Sequence, residues 1–221
     1  YGMAFGGGGA MAKAAVEAAA ASAPGAPVPE GCVGAGTGAV AGQLKGGVGT
    51  ASTVLGSGIT VAALVVVNAA GAVLDPETGV LYGELFQGRV AYPKERVHEA
   101  ARERLAKAAA GNAPPPLNTT LAVVATDAAL TKAQAQKLAG TAHDGIARAV
   151  RPVHLLHDGD TVFALATGDR PLDKHPLAPN DILAAGADLV TRAIVRAVRA
   201  AESVEGPGGV WPSYAELYGR G

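Results

Sequence analysis

The chain has 221 residues, enough for one large domain with its own core. Hydrophobic residues make up 49% and aromatic ones only 4%, so the core has to be built from Ala, Val, Leu and Gly, in closely packed helices and sheets. A formal charge of −1 gives no electrostatic case for nucleic acid or a membrane surface as partner.

The chain opens on Tyr1 rather than Met, as a fragment or a processed form would, and residues 1–9 are Gly-rich. No signal-peptide pattern is visible. Residues 10–23 are Ala-rich with Lys13 and Glu17 at i,i+4, which predicts a helix. The lone Cys32 excludes an internal disulfide framework and fits a reducing compartment, so a cytoplasmic location is expected. Seven glycines between Gly34 and Gly49 then crowd around Lys45. Gly34-Ala35-Gly36-Thr37-Gly38-Ala39 formally fits the G-x-G-x-x-A dinucleotide fingerprint. The reading fails, because no apolar strand precedes it, no helix pattern follows, and no acid stands between Glu30 and Asp75 to hold a ribose. These glycines fit close backbone approach instead.

Residues 48–55 and 59–67 read as strands joined at Gly56-Ser57-Gly58. The apolar run 59–74 is broken by Asn68 and Gly71 and falls short of the ~20 residues of a membrane helix. Residues 75–79 are a turn, and 93–110 an amphipathic helix. The Pro-rich stretch 111–116 cannot continue that helix and reads as an exposed loop. Directly after it, Leu117-Asn118-Thr119-Thr120 leads into a buried strand over 119–126. Thr131-Lys132-Ala133-Gln134 is a capping box that opens a helix to about Val150. Residues 151–156 and 161–167 read as a hairpin closed by His157-Asp158-Gly159-Asp160. Asn180 is expected to cap a long helix with Ile182, Leu183, Leu189, Val190, Ile194 and Val198 on one face, and Arg192, Arg196 and Arg199 on a solvated one. Ser213 caps a last short helix. Mixed α and β, with two groups of strands and helices outside them, predicts two packed sheets between helical layers.

Thr119 stands at the head of a buried strand behind a cuttable loop. If the bond before it breaks, Thr119 carries a hydroxyl and a free α-amine, and the amine can act as general base for its own hydroxyl. An α-amine pKa of roughly 7.7–8.0 suits that task. The bland readings are a turn that starts a strand, or a glycosylation sequon in Asn118-Thr119-Thr120. Lys45 taken alone can be a surface lysine, Asn68 a strand-end cap, and Asp158-Gly159-Asp160 a turn. His154, His157 and Asp158 suggest a metal but lack a third convincing ligand, so neither metal nor cofactor is expected.

Five segments taken together resemble one family. They are Gly42-Gln43-Leu44-Lys45-Gly46-Gly47-Val48-Gly49-Thr50-Ala51-Ser52, Val66-Val67-Asn68-Ala69-Ala70-Gly71, Asn118-Thr119-Thr120, His143-Asp144-Gly145-Ile146-Ala147-Arg148 and Asp158-Gly159-Asp160-Thr161-Val162-Phe163-Ala164. In this order they resemble the P1 family peptidases, which include the L-aminopeptidase/D-esterase, the β-peptidyl aminopeptidases and the nylon-oligomer hydrolase. The resemblance covers roughly Val33 to Tyr218. It implies an α/β fold, an αββα sandwich like that of N-terminal-nucleophile hydrolases with different connectivity. It also implies a single domain, 1–221, cut by self-cleavage at Asn118–Thr119 into chains that stay together, 1–118 in the α-chain and 119–221 the β-chain.

Thr119 would be the nucleophile of cleavage and of turnover on a small peptide or amide substrate. Lys45 and Asn68 match the family's active-site lysine and asparagine, and Asp158 and Asp160 its pair beside the nucleophile. A homo-oligomer of processed chains is implied. The family also carries N-terminal strands and a Gly-Ser-Ala-Tyr-Gly segment whose tyrosine lines the oxyanion site. Tyr1-Gly2-Met3-Ala4 resembles only the end of that segment, so either residues lie outside the given chain or this is a truncated member. Two other functions stay open: acetyl transfer of the ornithine acetyltransferase type, which also uses an N-terminal Thr, and an inactive truncated homologue.

Overall fold

Strict alternation builds the central sheet. In the computed structural model, which describes residues 8–23, 25–88, 90–112, 118–156, 158–206 and 208–219, β4 (Thr60–Val67) buries Val61, Ala63, Val65 and Val67 and leaves Ala62, Leu64 and Val66 half-buried. Residues 1–7 of the Gly-rich start, residues 113–116 of the Pro-rich loop with Leu117, and His157 lie outside these residues. Before β4 come helix α1 (Gly8–Ala21), a short ribbon of β1 (Val40–Ala41) and β2 (Leu44–Lys45), and strand β3 (Gly47–Val54). Lys13 and Glu17 pair on α1 at 3.7 Å. After β4 come α2 (Tyr82–Gln87), which the sequence did not suggest, α3 (Glu95–Gly111), β5 (Leu121–Ala128), α4 (Lys132–Ala149), β6 (Thr161–Arg170) and α5 (Asn180–Ala200). A ribbon of β7 (Val204–Gly206) and β8 (Gly209–Trp211) and helix α6 (Tyr214–Tyr218) close the chain.

The sheet order is β3-β4-β5-β6. The first two pairings are antiparallel and β5–β6 is parallel. The expected hairpin at 151–167 therefore does not form. Pro152 has no N–H to give a ladder, His154 turns left-handed at φ 56°, and among the described residues of this segment only Arg151 bridges, to Ala72. Strand β6 instead joins β5 after the α4 crossover, the connection a parallel pair requires.

Helices α4 and α5 cover the buried face of the sheet. Leu138 and Ile146 of α4 and Ile182, Leu189 and Ile194 of α5 pack there against Val61, Val65 and Val124. Gly49 lets α5 lie directly on β3, for a Cβ there would stand 2.0 Å from the Ala193 carbonyl oxygen. Helix α4 starts on the expected capping box, with the Thr131 and Gln134 side chains and backbones bonded reciprocally. Asn180 is the first residue of α5 and makes no cap bond. The arginine face of α5 is more than solvated, since Arg196 pairs with Glu30 at 3.2 Å and Arg199 with Glu84 at 2.6 Å.

The class is mixed α/β, as expected. Of the four-layer sandwich, the described residues supply a helical layer and one four-stranded sheet. Among the described residues nothing covers the other face of that sheet, where Val54 is 67%, Leu121 42%, Phe163 56% and Leu165 59% exposed. No helix among the described residues is long and apolar enough to cross a membrane.

Candidate active site

Strand polarity gathers the candidate residues at one end of the sheet. Because β5 and β6 are parallel, their entry segments, Asn118-Thr119-Thr120 and Asp158-Gly159-Asp160, run side by side. Leu121 stands opposite Thr161, and the Thr161 N–H donates to the Thr120 carbonyl at 3.0 Å. Because β4 is antiparallel to both neighbours, its end meets the start of β5 at Val66–Leu121 and the start of β3 at Gly47–Val67. Asn68 follows that end directly, and Lys45 precedes β3 by two residues. The row from β3 to β6 is about 15 Å wide at roughly 4.8 Å per strand.

Around Thr119 the contacts are specific. The Gly159 N–H donates to the Asn118 carbonyl at 3.3 Å, which is the carbonyl of the bond expected to break. Thr119 Oγ1 lies against Gly159, where an added Cβ would come within 2.6 Å of it. Asp160 Oδ1 accepts from the Thr120 N–H at 2.9 Å, and its Oδ2 meets His154 Nδ1 at 2.9 Å. Asp158 Oδ2 accepts from the Leu155 N–H at 3.0 Å, while its buried Oδ1 has no donor among the described residues. On the β4 side, Asn118 Nδ2 donates to the Ala69 carbonyl at 3.0 Å. Asn68 Oδ1 accepts from the Val40 N–H at 3.1 Å, and among the described residues no acceptor takes its two amide N–H donors.

Lys45 is positioned differently. It is 1% exposed, and its ammonium donates to three backbone carbonyls, Gly36 at 2.9 Å, Ala39 at 2.6 Å and Gly46 at 2.9 Å. Burial pushes its pKa below the ordinary lysine value, and the neighbouring Cys32 thiol pulls the other way. Among the described residues its three carbonyl partners lie in its own Gly-rich turn, and none is on Thr119. The sequence reading assigned Gly159 no role of its own, since its backbone N–H is invisible to a side-chain search, and weighed His154 only as a metal ligand, because the loop conformation that brings it to Asp160 is encoded by no spacing. Among the described residues no three His, Cys, Asp or Glu side chains gather as a metal site. Beyond Asn68, Ala70 and Gly71 begin the wall of an apolar cavity of about 710 Å³ that Leu44, Leu105 and Trp211 help to close.

Solved structures share the fold. The chain resembles a β-aminopeptidase from a Burkholderia species, with TM-score 0.66 and 29% identity over 92% of this chain and 56% of that one. It also resembles the L-aminopeptidase D-Ala-esterase/amidase of Ochrobactrum anthropi, described as a variant of the Ntn hydrolase fold, with TM-score 0.59 and 25% identity over 88% and 54%. The fold is thus of the N-terminal-nucleophile hydrolase class. The model of peptidase family S58 matches residues 6–211, starting well before the resemblance seen from Val33, and the chain belongs to that family. An uncharacterised aminopeptidase of Mycobacterium tuberculosis is 42% identical over 209 residues, 90% of this chain and 60% of that protein. The chain therefore spans little more than half the length of the relatives it matches.

Proposed function

We propose that this chain is part of a self-processing amide hydrolase whose nucleophile is Thr119. The observation that carries this reading is the Gly159 N–H on the Asn118 carbonyl, with the Thr119 hydroxyl packed against the same glycine. A donor on the carbonyl of one particular peptide bond stabilises the negative charge that develops when that bond is attacked. Thr119 Oγ1 adds to the Asn118 carbonyl carbon, the C–N bond breaks, and the hydroxyl proton ends on the Thr119 nitrogen. Water then hydrolyses the resulting ester, releasing the Asn118 carboxylate and the Thr119 α-ammonium. Asp160 already uses both oxygens, so the free Oδ1 of Asp158 is the acceptor left for that ammonium.

In turnover the α-amine takes the hydroxyl proton as Thr119 attacks a substrate amide, the leaving amine receives it, and water then hydrolyses the acyl ester left on Thr119 to free the acid and the hydroxyl. Asn68, with its amide donors unclaimed, supplies a hydrogen bond to the tetrahedral oxyanion. In known cases such a donor is worth roughly 3–4 kcal/mol. Lys45, saturated by three carbonyls, frames the site and does not relay protons. The names of the relatives make peptides with a free amino terminus, including β-peptides, the substrate class to screen. Intact mass under denaturing conditions tests the reading. Two pieces meeting between Asn118 and Thr119, and a single chain in Thr119→Ala, are expected. Amide turnover by Thr119→Ala would falsify it, and turnover that requires an amine acceptor would redirect it to acyl transfer.

A further inference from the structure

The Asp160 carboxylate is a bridge. Its side chain is 5% exposed, one oxygen holds the Thr120 N–H at 2.9 Å, and the other meets His154 Nδ1 at 2.9 Å. The Thr120 nitrogen belongs to the same planar peptide unit as the Thr119 carbonyl. Fixing that N–H fixes the plane, and with it the direction in which Thr119 presents its hydroxyl and its nitrogen. A nearly buried carboxylate that can swing loses this grip, so whatever holds its second oxygen matters. That group is His154, the one non-glycine residue at positive φ among the described residues, at 56°. A left-handed histidine persists only where its surroundings impose it, and such strain gathers at functional sites.

We propose that His154 is a positioning residue: its Nδ1 clamps Asp160 so that Asp160 orients Thr119 for cleavage and for turnover. This rests on the reading of Thr119 as nucleophile. The ionisable groups around His154 are Asp160 and Asp158 in the following loop, and His143 and Asp144 on α4. The His143 ring meets the His154 ring edge-on, with centroids 4.9 Å apart. Burial, then His154 itself, lowers the His143 pKa, against the pull of Asp160 and Asp144. The His143 ring thus backs the His154 ring from the α4 side.

Two substitutions separate side chain from backbone. His154→Gly relieves the left-handed strain but removes the donor. His154→Asn tolerates the conformation, and its Nδ2 falls where Nδ1 stood. Cleavage at Asn118–Thr119, followed by intact mass over time, should slow about 100-fold in His154→Gly and stay within a few-fold of the parent in His154→Asn. Equal rates in His154→Gly and the parent, or equal slowing in both variants, would overturn the proposal. A second readout needs no activity. In the uncleaved Thr119→Ala chain, adding His154→Gly should shift the Thr120 amide proton signal, and adding His154→Asn should leave it close to its position with His154 present. A Thr120 amide indifferent to His154→Gly sinks the proposal whether or not the chain cleaves. A parent chain that never cleaves, with the amide shift present, sinks the reading of Thr119 and leaves the clamp standing.

Discussion

Gly159 is the residue on which the local geometry is most demanding. Its N–H reaches the Asn118 carbonyl and its Cα leaves room for Thr119 Oγ1. The backbone there is not left-handed, so Ala is acceptable to the chain and only the hydroxyl is in its way. Gly159→Ala should keep its Tm close to the parent's yet slow cleavage by about 100-fold, the usual result of a displacement near 1 Å at a reacting group. Unchanged cleavage kinetics by intact mass would mean that the hydroxyl does not react from this position. Lys45 gives the opposite pattern. Lys45→Met strips the donor from three carbonyls at once. A loss of about 3 kcal/mol is expected, roughly 10 °C in Tm for a chain of this size. A variant that melts like the parent but is inactive would assign Lys45 to the chemistry instead.

At the scale of the element, α4 both crosses over from β5 to β6 and carries His143 against the site. The folded chain resists protonating His143, chiefly because the ring is buried, so its pKa lies below the ordinary 6.5. Below about pH 6.5 the unfolded chain takes up a proton that the folded chain refuses. Stability from this group is therefore complete above that pH and is lost as pH falls toward the folded-state value. His143→Gln should flatten the fall in Tm over the first unit or so below pH 6.5, before the carboxylates titrate. An identical pH profile in parent and variant would show that the ring does not resist protonation. The strand β6 shows how element type and element pairing differ. A strand over 161–167 was legible in the sequence and runs on to Arg170, but its partner was not the segment 151–156 next to it.

Over the described residues as a whole, the helical layer leaves one sheet face dry and the other open. Val54, Leu121, Phe163 and Leu165 stand on that open face as an apolar patch of the kind that binds other surfaces. Replacing Phe163 and Leu165 together by Glu should lower binding of an apolar dye and reduce self-association in sedimentation, with little loss of Tm, since both side chains are more than half exposed. If dye binding and sedimentation stay as in the parent, the face is already covered in solution.

The sequence by itself determined the helices other than α2 and the four strands of the central sheet, and it named Thr119, Lys45, Asn68, Asp158 and Asp160 as candidates, because burial periodicity, caps and short motifs are written in neighbouring positions. Only the tertiary structure decided that β6 lies parallel to β5, and that pairing sets 158–160 against 118–120. It also decided that the Lys45 ammonium turns into three carbonyls, that Gly159 faces the Asn118 carbonyl, and that His154 grips Asp160. These depend on which distant segments meet and on backbone groups that every residue carries alike, so no local pattern records them.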